Sequence, residues 1–235
     1  HPLYLHRNGD NYPTHGLGPV AKLLNINRGN QFVTLSSISS KSRGLNEWAA
    51  AHLGDNHALA HTDFKQGDIV TTMIQCANGE TILLTLDTTL PRPYSRAGRV
   101  QGTKGIWMED NQSIHLEGRS PDHTWEPWEK YRQQYEHPLW KEYIALGVRG
   151  GHGGMDYLVL RAYIESITKN IAPPIDVYDT AAWMAVTVLS EQSIAKHGHP
   201  VSFPDFTSGR WIDRKPAPAS KYSLTTIDEA IYETV

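Results

Sequence analysis

The dipeptide Asn78-Gly79 stands between two runs of β-branched and apolar residues, "DIVTTMIQCA" and "ETILLTLDTTL". Asn-Gly accepts positive φ at little cost, so two such runs close into a tight hairpin. That turn commits 69–77 and 80–90 to antiparallel strands. A further strand is expected at "QFVTLSSIS" (31–39), and "GRVQGTKG", "GIWMED" and "SIHLEG" continue as short strands between Gly- and Asn-rich turns. Strands that follow one another so closely pair with their neighbours, which makes the sheet mainly antiparallel.

Helical spacing alternates with these strands. "LNEWAAAHLG" (45–54) ends at Gly54, and 126–147, "EPWEKYRQQYEHPLWKEYIALG", is an aromatic-rich helical stretch. Two long helices are expected at 155–170 and 177–198, separated by Pro173-Pro174, and "HPVSFP" adds a last short strand. The fold class is α+β, a large mainly antiparallel sheet with helices packed on one face. One domain is expected through residue 214. From Lys215 the composition shifts at "KPAPAS", so 215–235 is a C-terminal extension whose end, "TTIDEAIYETV", suits a docked helix or a loose tail.

Composition narrows the function classes. A formal net charge of -3 gives no electrostatic case for nucleic acid or an anionic membrane. The lone Cys76 excludes an intrachain disulfide and reads as a small buried strand residue. No apolar stretch approaches a membrane span. His1 begins neither a signal peptide nor an initiator sequence, so the chain reads as a fragment or processed product, with its compartment left open. Seven tryptophans and eleven tyrosines suit the C–H faces of sugars, although core packing accounts for most of them.

Two stretches invite chemistry. In "NYPTHGLGPVA" (11–21) the run Gly16-Leu17-Gly18-Pro19-Val20-Ala21 spells a minimal dinucleotide fingerprint. A nucleotide loop needs a buried strand before it and an acidic residue about 20 positions on, and both are missing. A helix start fits better: Thr14 or His15 at its beginning, Pro19 in the first turn, and an apolar stripe through Val20, Leu23, Leu24 and Ile26. The second stretch is Gly150-Gly151-His152-Gly153-Gly154-Met155-Asp156. Four glycines around a histidine cost backbone entropy and pack nothing, so the loop suits close approach to a ligand, with His152 and Asp156 as a pocket wall, or is a flexible connection with Asp156 serving the first helical turn. His57 and His61 share an i, i+4 spacing, but no third ligand pattern accompanies them and no metal site is assigned. Neither a Gly-x-Ser-x-Gly elbow nor a Walker loop occurs. A catalytic carboxylate pair is set by space rather than spacing and stays open.

"NYPTHGLGPVAKLLNINRGNQFVTLSSISSKSRGL", "RPYSR", "GTKGIWMED" and "GGHGGMDYLVLRAYIESI", taken in order, resemble the C-terminal domain of glycoside hydrolase family 109. These are the NAD-dependent α-N-acetylgalactosaminidase-like proteins of the glucose-fructose oxidoreductase and inositol dehydrogenase superfamily. The resemblance runs from residue 1 to about 214. The resemblance implies a Rossmann domain in front of this part; the expectation is that this chain departs from the family by having none and that the Gly16–Ala21 fingerprint is a decoy. The resemblance implies hydrolysis through transient oxidation at C3 of the sugar, elimination across C1–C2, addition of water and return of the hydride, with retention. The cofactor carries that chemistry, and NAD would be bound mainly by the absent domain.

Carried over by motif, Tyr12, Pro13, Thr14 and His15 match the family's sugar-contacting segment, and Tyr94 in "RPYSR" matches its second substrate tyrosine. An imidazole can hold or move a proton near neutrality, which suits His15 for the catalytic role; a tyrosine offers a hydroxyl and a ring. The resemblance implies a carbohydrate substrate and homo-oligomerisation through the sheet. Two alternatives remain: a domain of an NAD(P)-dependent sugar or cyclitol dehydrogenase, and a non-catalytic carbohydrate-binding or dimerisation module.

Overall fold

The computed structural model of the protein describes residues 2–148 and 150–223. The first stretch carries helix α1 (Pro2–His6), helix α2 (Thr14–Leu23), strand β1 (Phe32–Ser39) and helix α3 (Gly44–Leu53). The hairpin strands β2 (Ile69–Cys76) and β3 (Thr81–Asp87) follow. Four short strands come next: β4 (Arg99–Gly102), β5 (Gly105–Met108), β6 (Ser113–Leu116) and β7 (Glu126–Pro127). Helices α4 (Glu129–Tyr135), α5 (Pro138–Ala145), α6 (Met155–Thr168) and α7 (Val177–Ala195) lead to the last strand, β8 (Val201–Ser202).

The architecture is α+β, with all its strand pairs antiparallel among the described residues. The strands are distributed over two four-stranded sheets, β3-β2-β1-β8 and β4-β5-β6-β7, rather than one large one. The chain divides into two compact units. One runs to Pro93 and includes Val177–Lys215; the other comprises Tyr94–Asp176 and the stretch from Pro216 on. The stretch "TTIDEAIYETV" at 225–235 lies outside the described residues.

In the first unit the hairpin forms where Asn78-Gly79 places it. Ile69 pairs with Asp87 and Gln75 with Thr81, and at the tip Gly79 takes a φ of 97° that a side chain would strain. Alternation decides the faces. Val70, Ile74 and Cys76 of β2 and Ile82, Leu84 and Leu86 of β3 point inward. Of these, Ile74, Cys76, Ile82 and Leu84 meet Leu17 and Ala21 of α2 and Ala182, Val186 and Leu189 of α7 in one apolar cluster. Both helices therefore cover the same face. A bidentate ion pair, Arg28 to Asp179 at 2.7 and 2.8 Å, ties the loop after α2 to the first turn of α7.

The inner face of α7 is not purely apolar. Ser190 and Ser193 have no exposed surface, and each hydroxyl receives a backbone amide. Ser193 accepts from the Ser37 amide at 2.9 Å and donates to the His199 carbonyl at 2.8 Å, bridging β1 and the segment before β8. Beside it the Ser37 and Thr72 hydroxyls hydrogen-bond at 2.7 Å, joining β1 to β2 beneath the helix.

In the second unit the helical stretch expected over 126–147 is strand β7 followed by two helices. Pro138 breaks it, since proline has no amide to donate and pushes the preceding residue out of the helical region. His137 is accordingly extended, with ψ 135°, and its Nδ1 accepts from the Leu139 amide at 3.1 Å to cap α5.

Replacing Ser193 with Ala should strand the buried Ser37 amide and remove the part-buried bond to the His199 carbonyl. Such losses cost about 1–3 kcal/mol each. Urea denaturation should show a lowered midpoint at unchanged slope; an unaltered midpoint would mean that the bridge contributes nothing to stability.

Candidate functional site

Helix α2 begins at Thr14 with Pro13 before it, buried and with helical φ of -74° and ψ of -24°. Tyr12 is 60% exposed and His15 is exposed as well, while Pro13 and Leu17 are buried beneath them. The two exposed rings stack, with centroids 4.7 Å apart and planes at 27°. An imidazole and a phenol are thus presented together to solvent on an anchored base. Pro19 falls inside the helix, in its second turn rather than its first. Having no N–H, it cannot donate to the carbonyl of His15, the acceptor four residues back. Of the expected stripe, Ile26 is buried, Val20 and Leu24 pack against the apolar cluster and Leu23 is exposed; the helix also buries Leu17, Gly18 and Ala21.

The segment before α2 is pinned along its length. Asn8 Oδ1 accepts from Ser39 Oγ at 2.7 Å and from the Gly67 amide at 3.1 Å. Gly9 and Gln66 exchange bonds, amide to Oε1 at 3.2 Å and Nε2 to carbonyl at 3.1 Å, and Asn11 Nδ2 donates to the same Oε1. A Cβ on Gly9 would come within 2.6 Å of Glu191 Cγ, so α7 approaches this backbone as closely as glycine permits. The Asp10 amide donates to Ser190 Oγ and its carbonyl accepts from Thr187 Oγ1, both at 2.8 Å.

Asp10 itself is 2% exposed. Burial pushes its carboxyl up to about 6, opposed by a hydrogen bond from the Tyr12 amide. Sequence reasoning missed this residue. An aspartate in "NRGN"-like polar surroundings, here "NGDN", reads as a turn former, and nothing in the spacing shows that α7 covers it.

The remaining candidates fall elsewhere. Gly16 and Gly18 lie within α2 rather than at a strand-to-helix turn. A Cβ on Gly18 would sit 3.4 Å from the ring of Trp183, so that glycine serves helix packing. These glycines do not fit a dinucleotide pyrophosphate, which needs amides free at a helix N-terminus. His57 Nδ1 accepts from the Leu59 amide at 3.2 Å, and His61 Nε2 lies 2.6 Å from the Asp55 carbonyl, so both rings serve the backbone of a short 3-10 turn. In the second unit His152 and Asp156 meet, Nδ1 lying 2.9 and 3.0 Å from the two carboxylate oxygens. Gly154, with φ of 94°, brings this loop against Tyr143, where a Cβ would lie 2.4 Å from the ring. Tyr94 opens the second unit with its ring 85% exposed. A hollow in that unit, lined by Leu139, Tyr143, Tyr157 and Leu158, includes none of the residues expected from sequence. No described helix is long and apolar enough to cross a membrane.

The first unit is thus an antiparallel α+β unit with an exposed, stacked Tyr12–His15 pair at a helix start. Residues 1–213 match the family described as Glycosyl hydrolase 109, C-terminal domain, and the chain belongs to it. It is 53% identical over 211 residues to a glycosyl hydrolase family 109 protein of Stenotrophomonas maltophilia, covering 89% of this chain and 46% of that protein. It is 50% identical to an alpha-N-acetylgalactosaminidase of Tannerella forsythia, covering 90% and 45%. The chain therefore spans about half the length of the curated relatives it matches. Among solved structures, an oxidoreductase from Pseudomonas syringae superposes with a TM-score of 0.46 at 15% identity, over 81% of this chain and 50% of that one. An inositol dehydrogenase homolog from Azotobacter vinelandii, complexed with NADH and myo-inositol, gives 0.44 at 14%, over 81% and 48%.

The raised Asp10 carboxyl has a consequence for stability. Because the folded value lies above the unfolded one, folding favours the protonated form. That contribution is complete below about pH 4 and is lost as pH rises to about 6. Asp10→Asn keeps the shape without the charge. It should leave stability unchanged near pH 4 and raise it above pH 6 by on the order of 2–3 kcal/mol. Thermal melts across that range check this; equal melting temperatures at pH 8 would show that the buried carboxylate costs nothing.

Proposed function

We propose that the chain is the substrate-binding part of an NAD-dependent glycosidase acting on an N-acetylgalactosaminide. The observation that carries this reading is the stacked, exposed Tyr12–His15 pair, within the segment that aligns with a family some of whose relatives bear that enzyme's name. NAD, held mainly by parts of the whole protein outside this chain, would supply reversible hydride transfer at the sugar ring. His15 would hold or return the proton of the hydroxyl that is oxidised, its ring kept in place by Tyr12. Tyr12 and Thr14 offer hydroxyls to the sugar, and Pro13 fixes the entry to the helix. In the second unit, Tyr94 offers a further exposed phenol and His152 is braced by Asp156, both in the role the resemblance implies for them.

In the intact protein, an aryl α-N-acetylgalactosaminide should release free sugar without added NAD, which a dehydrogenase would not do. His15→Ala should lower kcat by about 10²–10⁴-fold with a smaller change in KM. A variant that keeps kcat would remove His15 from the reaction. The 235-residue chain alone should neither bind NAD in a calorimetric titration nor cleave the glycoside; micromolar NAD binding would overturn the assignment of the cofactor site to the rest of the protein.

The outer face of the first sheet supports the homo-oligomer. Met73 sits between Ser36 and Leu83 across three strands, and Ile38, Met73 and Leu83 are exposed among threonines. A flat apolar face of this kind is costly to leave in water and suits a second copy. Met73→Glu should convert an oligomer to monomer by light scattering, and an unchanged mass would exclude this face.

A further inference from the structure

Gln66 lies just before β2, is 3% exposed, and has no part in the chemistry proposed above. Its side-chain amide is fully engaged. Oε1 accepts from the Gly9 amide at 3.2 Å and from Asn11 Nδ2; Nε2 donates to the Gly9 carbonyl at 3.1 Å and to the Gly67 carbonyl at 3.2 Å. Two donors and two lone pairs are all that a carboxamide has. We propose that the Gln66–Asn11 side-chain bond is the positioning contact of the Tyr12–His15 pair: it fixes the residue before Tyr12 on a rigid base and so aims both rings at a bound sugar. The base is rigid because Gln66 is itself held. The backbone amides of Lys65 and Gln66 both donate to the Tyr4 carbonyl of α1, at 2.9 and 3.1 Å. A Cβ on Gly67 would stand 2.0 Å from Ser39 Oγ, so this stretch lies against the end of β1 as closely as glycine permits.

Asparagine at position 11 separates positioning from stability. Gly9 binds both ends of the Gln66 amide and so decides that an acceptor, Oε1, faces Asn11. Asn11 must turn Nδ2 toward it, since the flipped amide would set two acceptors against each other. Its Oδ1 is thereby directed away, and it is buried with no partner among the described residues. A buried acceptor without a donor costs stability, which a leucine here would avoid. Gln66 Oε1 would still have the Gly9 amide. What asparagine supplies in return is a grip on the peptide that leads into Tyr12. On its other side Tyr12 is bounded by the buried Pro13, whose ring fixes its own φ and confines the residue before it to extended backbone. The Leu17 amide donates to the Pro13 carbonyl at 2.9 Å, and Leu17 has no exposed surface. Tyr12 is thus clamped from both sides, while its ring stays exposed against that of His15.

The inference rests on the proposed function only for its consequence in catalysis, and its first test is made without substrate. In the isotopically labelled 235-residue chain, Asn11→Leu should leave the melting temperature at or above that of the wild type, because one hydrogen bond and one unpartnered acceptor go together. The NMR contacts between the Tyr12 and His15 rings should nevertheless be lost, while the Ser37 amide, bound to Ser193, stays protected from exchange. In the intact protein the same variant should lower kcat by about 10–10²-fold with a smaller change in KM, as expected when a reacting group is misplaced rather than removed. Gln66→Met takes away the acceptor from the other side. Adding Asn11→Leu to it should lower kcat no further, since the two changes break one contact. Should Gln66→Met fail to fold, Asn11→Leu decides alone. Rings that stay in contact in the leucine variant overturn the proposal. So does a melting temperature that falls in step with the lost contact, which would make the bond structural only. If the rings part but kcat holds in the intact protein, the pair is not the catalytic one: the proposed function fails and the positioning contact stands.

Discussion

The first unit depends on a helix that buries hydroxyls as well as hydrocarbon. α7 places Ala182, Val186 and Leu189 in the apolar cluster, and on the same side Thr187, Ser190 and Ser193 meet backbone groups of other segments. A buried amide or carbonyl left without a partner costs as much as an aliphatic contact gains. These hydroxyls therefore fix positions that hydrophobic contact alone would leave free to slide. Ser193 sets the height of β1 against the helix; Ser190 and Thr187, a turn earlier, hold both ends of the Asp10 peptide. Sheet and candidate site are thereby registered against one rigid element, and the Tyr12–His15 pair takes its place from α7 rather than from its own helix.

The parts of this fold that sequence discloses are those decided locally. Asn78-Gly79 gives the hairpin because its conformational demand is met within four residues. Alternation along β2 and β3 then decides which face is buried. The break at Pro138 was equally local, but an aromatic-rich helical pattern on either side obscured it. Helix α7 is legible as a helix, yet its polar inner face is not: Ser190 and Ser193 resemble solvent-facing residues until β1 is laid beneath them. The site divides in the same way. The YPTH segment and Tyr94 enter the candidate site through family resemblance alone, with no physical reason in their spacing. Asp10 was illegible, because its burial comes from residues almost 180 positions away.

The glycines of α2 show how a motif can be chemically misleading and still informative. In a nucleotide loop, glycine permits a ligand to approach the backbone. Here Gly18 instead lets Trp183 of α7 approach, with the ring 3.4 Å from where a Cβ would stand. Gly16 similarly faces Leu84, at 3.5 Å. Two glycines cost a helix roughly 1 kcal/mol each against alanine, so the close packing of α2 between α7 and β3 has to offset that loss. The close packing also brings the start of α2 down onto the pinned 8–11 segment.

That cost bears on how the Tyr12–His15 pair can be exposed and ordered together. An exposed aromatic pair at a helix start has few contacts of its own to restrain it, and a glycine-containing first turn is a weak support. Order must then be imported from below. Pro13 removes backbone freedom, Leu17 anchors the first turn in the core, and the network from Gln66, Ser190 and Thr187 immobilises the approach to it. A sugar arriving at the rings would meet groups whose ordering entropy is already lost on folding, so less of its binding energy is consumed in arranging them.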